Sequence, residues 1–435
     1  MHNRVFGTPQ ATALVMAAMI GTGVFTSLGL QVQSIPSASA VLLLWVLGGV
    51  SSLCGALAYA ELGAAHPRSG GEYHLLATAY TSTLGFIAGV ATLIAGLAAP
   101  MAVSAVAFSK YMHNLMPLPA PVYIVGVIGL TTILHSVNVH VGAALHSGVT
   151  YFNVALMLMF IFAALVIDVP NVPPPTLVPT ADDLRFMLSP SYAVAFVFVV
   201  YAYLGWNTSV YIIDELHEPQ KTLPRSVIAG VLAVTVLYVA LNYAFLHVAS
   251  LAELSGKVDV GYIAARGIVG EQAAVLMSTL IALALFASVS SYTVLSPRVW
   301  RVMGEDYGSS YALLRFAART NARGVPTPAF WLQAALALGI ALSSAFDAIL
   351  IYTGILLTAF NMLAVLGVIV LRVRRPELPR PYKAWGYPLT PLVFAAVSLW
   401  MIGYSILERP WESLWVALTF VGAYALNARN LKPKH

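Results

Sequence analysis

No charged residue lies between Arg4 and Glu61, and that gap holds two apolar runs, Ala11 to Leu30 and Ala40 to Tyr59. Each is about the ~20 residues that a helix needs to cross a bilayer. Further runs follow at Tyr73 to Phe108, Pro121 to Val137, Leu145 to Ile167, Ser191 to Ile213 and Val227 to Val248. Five more lie at Ala273 to Val294, Ala329 to Ser344, Ala348 to Leu371, Leu389 to Leu407 and Trp411 to Leu426, so the pattern predicts twelve spans. The third run is long enough to cross with strong tilt. The first run follows Arg4 and precedes Ala38-Ser39-Ala40, as in a cleaved leader. Its length, its internal Gly21-Thr22-Gly23 and the spans behind it favour a retained helix.

Composition narrows this further. Of 435 residues 59% are hydrophobic and 9% charged, against roughly 25% charged in soluble domains. An ordinary soluble enzyme is excluded, and so are disorder and coiled coil. The net charge of +5 does not point to nucleic acid, because the basic residues sit between apolar blocks rather than on a basic helix or stacking platform. With the amino terminus inside, 17 of the 22 Lys and Arg fall on the cytoplasmic side. The positive-inside rule then predicts both termini in the cytoplasm of a multi-pass protein of a prokaryotic inner membrane or a plasma membrane. The longest loops, Pro297 to Pro328 and Asp168 to Pro190, hold no domain. Cys54 is the only cysteine, so no internal disulfide or cysteine zinc site is available, and no cofactor is expected.

Two spans are interrupted. Gly21-Thr22-Gly23-Val24-Phe25 lies within the first, and Tyr201-Ala202-Tyr203-Leu204-Gly205-Trp206-Asn207-Thr208 within the sixth. Close packing through small residues accounts for such glycines. So does a discontinuous helix whose freed amides face an anionic group at mid-membrane. If spans one to five and six to ten are inverted repeats, the two breaks correspond, which is the sequence pointer to a transport site. A zwitterionic amino acid suits such a site. Its carboxylate takes N–H donors at one half-helix end and its ammonium takes carbonyls at the other. No Asp, Glu, Lys or Arg stands near the centre of any span, which argues against a carboxylate relay.

At these residues the sequence resembles the amino-acid/polyamine/organocation permease superfamily, within it the L-type amino acid transporter and serine/threonine exchanger branch. The resemblance is carried by the first break; by Tyr59-Ala60-Glu61-Leu62-Gly63 running to Pro67-Arg68-Ser69-Gly70-Gly71-Glu72-Tyr73; by Tyr201 to Asn207, Asp214-Glu215 and Pro219 to Arg225; and by Arg380-Pro381-Tyr382 with Gly386-Tyr387-Pro388. It implies an all-α integral membrane protein of twelve transmembrane helices. Five plus five form an inverted, LeuT-like repeat with discontinuous helices one and six, and two helices follow. The corresponding divisions are 1–168, 169–375 and 376–435. It also implies alternating access. Gly21 and Gly205, at the two breaks, would belong to the substrate-binding set; with them Thr22 and Gly23 would hold the substrate carboxylate, and the carbonyls of Met19, Tyr201 and Leu204 its ammonium. Tyr201 would close over the substrate, Asn207 would couple it to helix movement, and Tyr292 would form a second aromatic gate.

One departure stands out. Many relatives carry a Lys in span five where this chain has Leu156, which removes that ammonium from any proton coupling. Ser288, Ser290 and Ser291 offer oxygens for a candidate cation site and so for sodium coupling, although serines bonding their own helix or packing against a neighbour are the favoured reading. The segment Lys110 to Pro121 has no Cys, so the disulfide to an ancillary glycoprotein that some eukaryotic relatives use cannot form, and no such partner is expected. His135, His140 and His146 lack the spacing of a helical metal pair. Glu61, Arg68 and Glu72, and likewise Asp214, Glu215 and Arg225, read either as internal gates or as solvated loop charges. A membrane enzyme would need paired carboxylates, HExxH or a Ser/His set within the spans, and none is found. The expected partners are the lipid bilayer and a small-molecule amino acid, with no nucleic acid. The expected function is secondary transport of small to medium neutral L-amino acids as exchanger or uniporter; sodium- or proton-coupled symport, or a substrate sensor on the same fold, are the alternatives.

Overall fold

The computed structural model describes residues 6–66, 71–137, 141–167, 169, 172, 174–211, 213, 216–321 and 324–430. Among them the structure is all-helical, and the only extended pairing is a single bridge between Phe6 and Leu216. The first interrupted span is α1 (Thr8–Met19), α2 (Thr22–Thr26) and α3 (Leu28–Gln31), followed by α4 (Ala38–Ala65) and α5 (Gly71–Ala79). Next come α6 (Ser82–Ala91), a π-helical stretch (Thr92–Ala98) and α7 (Ala99–His113), which run on as one rod, then α8 (Ala120–Val137) and α9 (Val141–Val166). A loop helix, α10 (Ala181–Phe186), leads to the second interrupted span, α11 (Pro190–Tyr203) and α12 (Thr208–Tyr211). The remainder is α13 (Pro219–Val248), α14 (Leu251–Leu254), α15 (Val260–Val269), α16 (Glu271–Tyr307), α17 (Ala312–Ala317), α18 (Thr327–Ser343), α19 (Phe346–Arg374), α20 (Leu389–Glu408) and α21 (Pro410–Asn430).

Six helices are long and apolar enough to cross a membrane: Ala38–Ala65, Ser82–His113, Pro219–Val248, Glu271–Tyr307, Phe346–Arg374 and Leu389–Glu408. Shorter apolar helices accompany them. Phe162, Leu165, Val236, Leu399 and Trp415 remain more than half exposed, as expected where the solvent is lipid. The chain is therefore a multi-pass membrane protein.

Two predicted boundaries are corrected. The run from Tyr73 to Phe108 is not one tilted span: α5 ends at Ala79, and Thr81 starts a new helix by accepting from the Leu84 amide at 3.2 Å. The predicted loop from Pro297 is helical to Tyr307, with Pro297 buried inside α16. The π stretch opens the ladder around Thr92–Ala98, and the Leu93 carbonyl accepts from Gln333 at 3.3 Å.

The core is divided. One large cluster runs through α1, α4, α11, α13, α19 and α20. A separate one, built on Met101, Ile124, Ile128, Val289 and Ala337, joins α7, α8, α16 and α18. Small residues allow close approach within the first: a Cβ on Gly230 of α13 would stand 2.6 Å from a methyl of Val15 on α1.

On the loop side, Asp183 ties α10 to the start of α4. It accepts from Ser37 (2.5 Å), Ser39 (2.9 Å) and the Thr180 amide (2.8 Å) and hydroxyl (2.9 Å). The Ser37 hydroxyl first, then the Thr180 amide, pull its carboxyl from the ordinary 3.8 down to about 2. Because the folded value lies below the unfolded one, the stabilisation is present above about pH 4 and lost as pH falls through about 2. Asp183→Ala is expected to cost about 1–3 kcal/mol at neutral pH through the orphaned donors. Thermal unfolding in detergent should show the gap to the wild type closing between those two pH values; a gap constant with pH would remove the assignment.

Candidate functional site

The α1 helix stops at Met19, and Gly21 takes an extended conformation (φ −130°, ψ −152°) before α2 begins, with no side chain capping the new amino end. The α11 helix stops at Tyr203. Gly205 then adopts φ +114°, which only glycine takes readily, and Thr208 closes the gap by donating its amide and hydroxyl to the Gly205 carbonyl at 3.0 and 2.7 Å. Both spans are thus broken at their glycines.

The two breaks lie against each other. A Cβ on Gly23 would stand 2.7 Å from the Ala202 Cα, and one on Gly205 would stand 2.6 Å from the Ala18 carbonyl carbon and 3.0 Å from the Met19 nitrogen. Gly21 differs: a Cβ there would meet only the Met19 oxygen at 4.0 Å, so space opens beside it. The roles suggested for the two glycines therefore separate. Gly23 is held small by its contact with α11, as in the packing reading, whereas Gly21 has room beside it. The Thr22 hydroxyl is 2.5 Å from that of Ser104, so the break also touches α7.

Tyr238 of α13, which the sequence reading missed, joins the breaks. Its hydroxyl lies 2.6 Å from the Met19 carbonyl oxygen and 3.1 Å from that of Ala202. In this structure the Met19 carbonyl expected to take an ammonium is thus engaged by a tyrosine. The Tyr201 carbonyl accepts from the Leu204 amide at 3.2 Å. Tyr201 is buried, and Tyr292 packs against the second core cluster.

Asn207 follows the second break and donates its amide to Glu72 of α5. The Tyr59 hydroxyl of α4 lies 2.9 Å from the Asn361 side-chain oxygen of α19 and 3.3 Å from a Glu72 carboxylate oxygen, sharing one proton between them, and its ring meets Trp206 edge-on at 4.8 Å. A carboxylate therefore reaches the break from outside the spans, where scanning the spans alone shows none. A small cavity on this far side of α11, room for about one water, is lined by Ser51, Ser52, Leu204, Trp206, Thr358 and Asn361.

Of the two readings left open for Glu61, Arg68 and Glu72, that of solvated loop charges does not hold for Glu61, whose carboxylate is 3% exposed. Glu61 pairs with Arg372 (2.6 Å) and Arg380 (3.6 Å) at the end of α19 and beyond. Arg68 lies outside the described residues, as do Asp214, Glu215 and His140. The three candidate serines do not converge. Ser288 and Ser291 donate to the Ala284 and Ala287 carbonyls of their own helix at 3.2 and 2.9 Å. Ser290 instead points to His135 of α8, 2.7 Å away. Leu156 is buried in the large core cluster.

Two apolar helices broken at glycines and packed against each other at their gaps are an arrangement found at transporter sites. The amino acid permease family model matches residues 6–424, and the chain belongs to that family. It is similar to the human cystine/glutamate transporter, with 26% identity covering 96% of this chain and 84% of that protein. It is also similar to the serine/threonine exchanger SteT of Bacillus subtilis (27%; 91% and 90%) and to the mouse Asc-type amino acid transporter 1 (28%; 93% and 77%).

Proposed function

We propose that the protein moves small to medium neutral L-amino acids by alternating access, as an exchanger or uniporter. The observation that carries this reading is the open space beside Gly21, bounded by the uncapped amino end of α2 and lying next to the second break. Thr22 and Gly23 amides take the carboxylate there; the carbonyls of Met19, Tyr201 and Leu204 take the ammonium once Tyr238 yields the first of them. The element order supports twelve spans in a five-plus-five inverted repeat: an interrupted span begins each set, α1–α3 and α11–α12, and α20 and α21 follow the second. The divisions 1–168, 169–375 and 376–435 follow, with both termini cytoplasmic in an inner or plasma membrane by the excess of basic residues on that side. Tyr201 and Tyr292 act as gates, and Asn207 couples substrate to the movement of α12 through Glu72.

A second reading, proton-coupled symport, is favoured by one observation: Glu72 is buried beside the break and bonded to Asn207. Proteoliposomes separate the two. Uptake of labelled neutral amino acid that requires preloaded unlabelled amino acid supports exchange; uptake driven by an inward proton gradient and lost in Glu72→Gln supports symport. Binding with no flux would turn the assignment to a sensor. Gly21→Val tests the site itself. Its side chain enters open space, so thermal stability is expected within about 1 kcal/mol of the wild type, while substrate affinity falls about 100-fold. Unchanged affinity would remove the carboxylate assignment.

A further inference from the structure

The short helix α17 lies on α16 through the buried Leu314 and Ala317, where a Cβ on Gly304 would stand 2.7 Å from the Leu314 carbonyl oxygen. Its other face presents Leu313 and Phe316, 55% and 45% exposed. Between Phe316 and the first turns of α18, residues Thr327, Pro328, Trp331 and Leu332 line an open groove of about 370 Å³ with almost wholly apolar walls. The groove sits at the end of an apolar helix; in membrane proteins tryptophan is enriched at the headgroup level and arginine in the cytoplasmic loops beside it. The Arg319 guanidinium stands 5.9 Å from the centroid of the Phe316 ring, so a cation is held at the groove's edge. Arg315 and Arg319 are exposed, and neither makes an ion pair among the described residues, whereas Arg301 nearby is tied to Glu305 at 2.7 Å.

We infer that this groove seats an acyl chain of an anionic phospholipid, with the phosphate on Arg319 and Arg315. Apolar walls alone accept any lipid chain; the Arg319 guanidinium on the Phe316 ring, with the exposed Arg315 four residues before it, selects the charge. The occupant is a lipid rather than free phosphate because the walls are almost wholly apolar, with Thr327 the one polar side chain among them, and offer a free anion little to hold it.

The inference rests on the membrane placement and not on the transported substrate, so its test is independent of transport. The protein is reconstituted in phosphatidylcholine vesicles containing either phosphatidylglycerol or phosphatidylcholine with brominated chains. Quenching is followed in the part of the tryptophan emission that Trp331→Phe removes. Phosphatidylglycerol is expected to occupy the groove with an apparent affinity at least about tenfold higher, from roughly fivefold per arginine. Arg315→Gln/Arg319→Gln should erase that preference, and Arg315→Lys/Arg319→Lys should keep most of it. Equal quenching by both lipids in the wild type would overturn the assignment. So would a preference that survives the double Gln variant, or full competition by soluble glycerol phosphate.

Discussion

Glu61→Ala is expected to be among the most destabilising single substitutions in the chain, costing about 3 kcal/mol or more. The carboxylate is 3% exposed and meets two arginines. Arg372 donates Nε to Oε1 at 2.8 Å and Nη2 to Oε2 at 2.6 Å, and the Ala384 amide donates to Oε2 at 2.7 Å. Arg372 also covers the Tyr387 ring at 3.6 Å from its centroid, while Arg380 is spent on the carbonyls of Leu371, Arg375, Pro376 and Leu378. Removing the carboxylate leaves a buried amide and two guanidiniums without their anion. Arg372, 22% exposed, recovers some hydration; Arg380, at 10%, recovers less. Glu61→Gln keeps an acceptor for Ala384 but no charge, so it should fall between wild type and Ala. Thermal unfolding in detergent checks the order, and equal stability of all three would show that the pair contributes nothing net.

That clasp also marks where sequence reasoning runs out. The breaks were legible because glycine within an apolar run is a local signal, and so were the six helices long and apolar enough to cross, whose length is set by the bilayer. Glu61 and Arg372 lie 311 positions apart, and nothing local in either selects the other. Tyr238 is one of 21 tyrosines, flanked by Leu237 and Val239 like any packed aromatic; only the fold brings its hydroxyl to Met19. The division at Thr81 was hidden because hydropathy averages over the one polar cap that stops and restarts a helix. Pro297 was misread because proline beside Arg298 looks like a loop, although inside α16 it is accommodated within a long rod. Gly21 and Gly23 were both recognised, but which one faces space and which one faces Ala202 is a property of packing and not of spacing.

Gly205→Ala is expected to reduce uptake to below about 1% of wild type, a loss of roughly 2.7 kcal/mol or more in the transport cycle. Two costs coincide at this position. The φ of +114° is open to glycine and strained for alanine, about 1–3 kcal/mol. The added methyl would also stand 2.6 Å from the Ala18 carbonyl carbon and 3.0 Å from the Met19 nitrogen, which are backbone atoms that no rotamer change can move aside. Relief requires that α1 retreat from α11 or that the α11 break straighten, and either displaces the carbonyls proposed to hold the ammonium. Gly339→Ala is the matched control. It lies within α18, where an added Cβ meets nothing within 4 Å, so stability should hold or rise by a few tenths of a kcal/mol and uptake should be unchanged. If Gly205→Ala transports like Gly339→Ala, the close crossing of the breaks is packing alone. A selective loss, with the purified variant still unfolding cooperatively, ties the flux to the left-handed turn that lets α11 come apart beside α1.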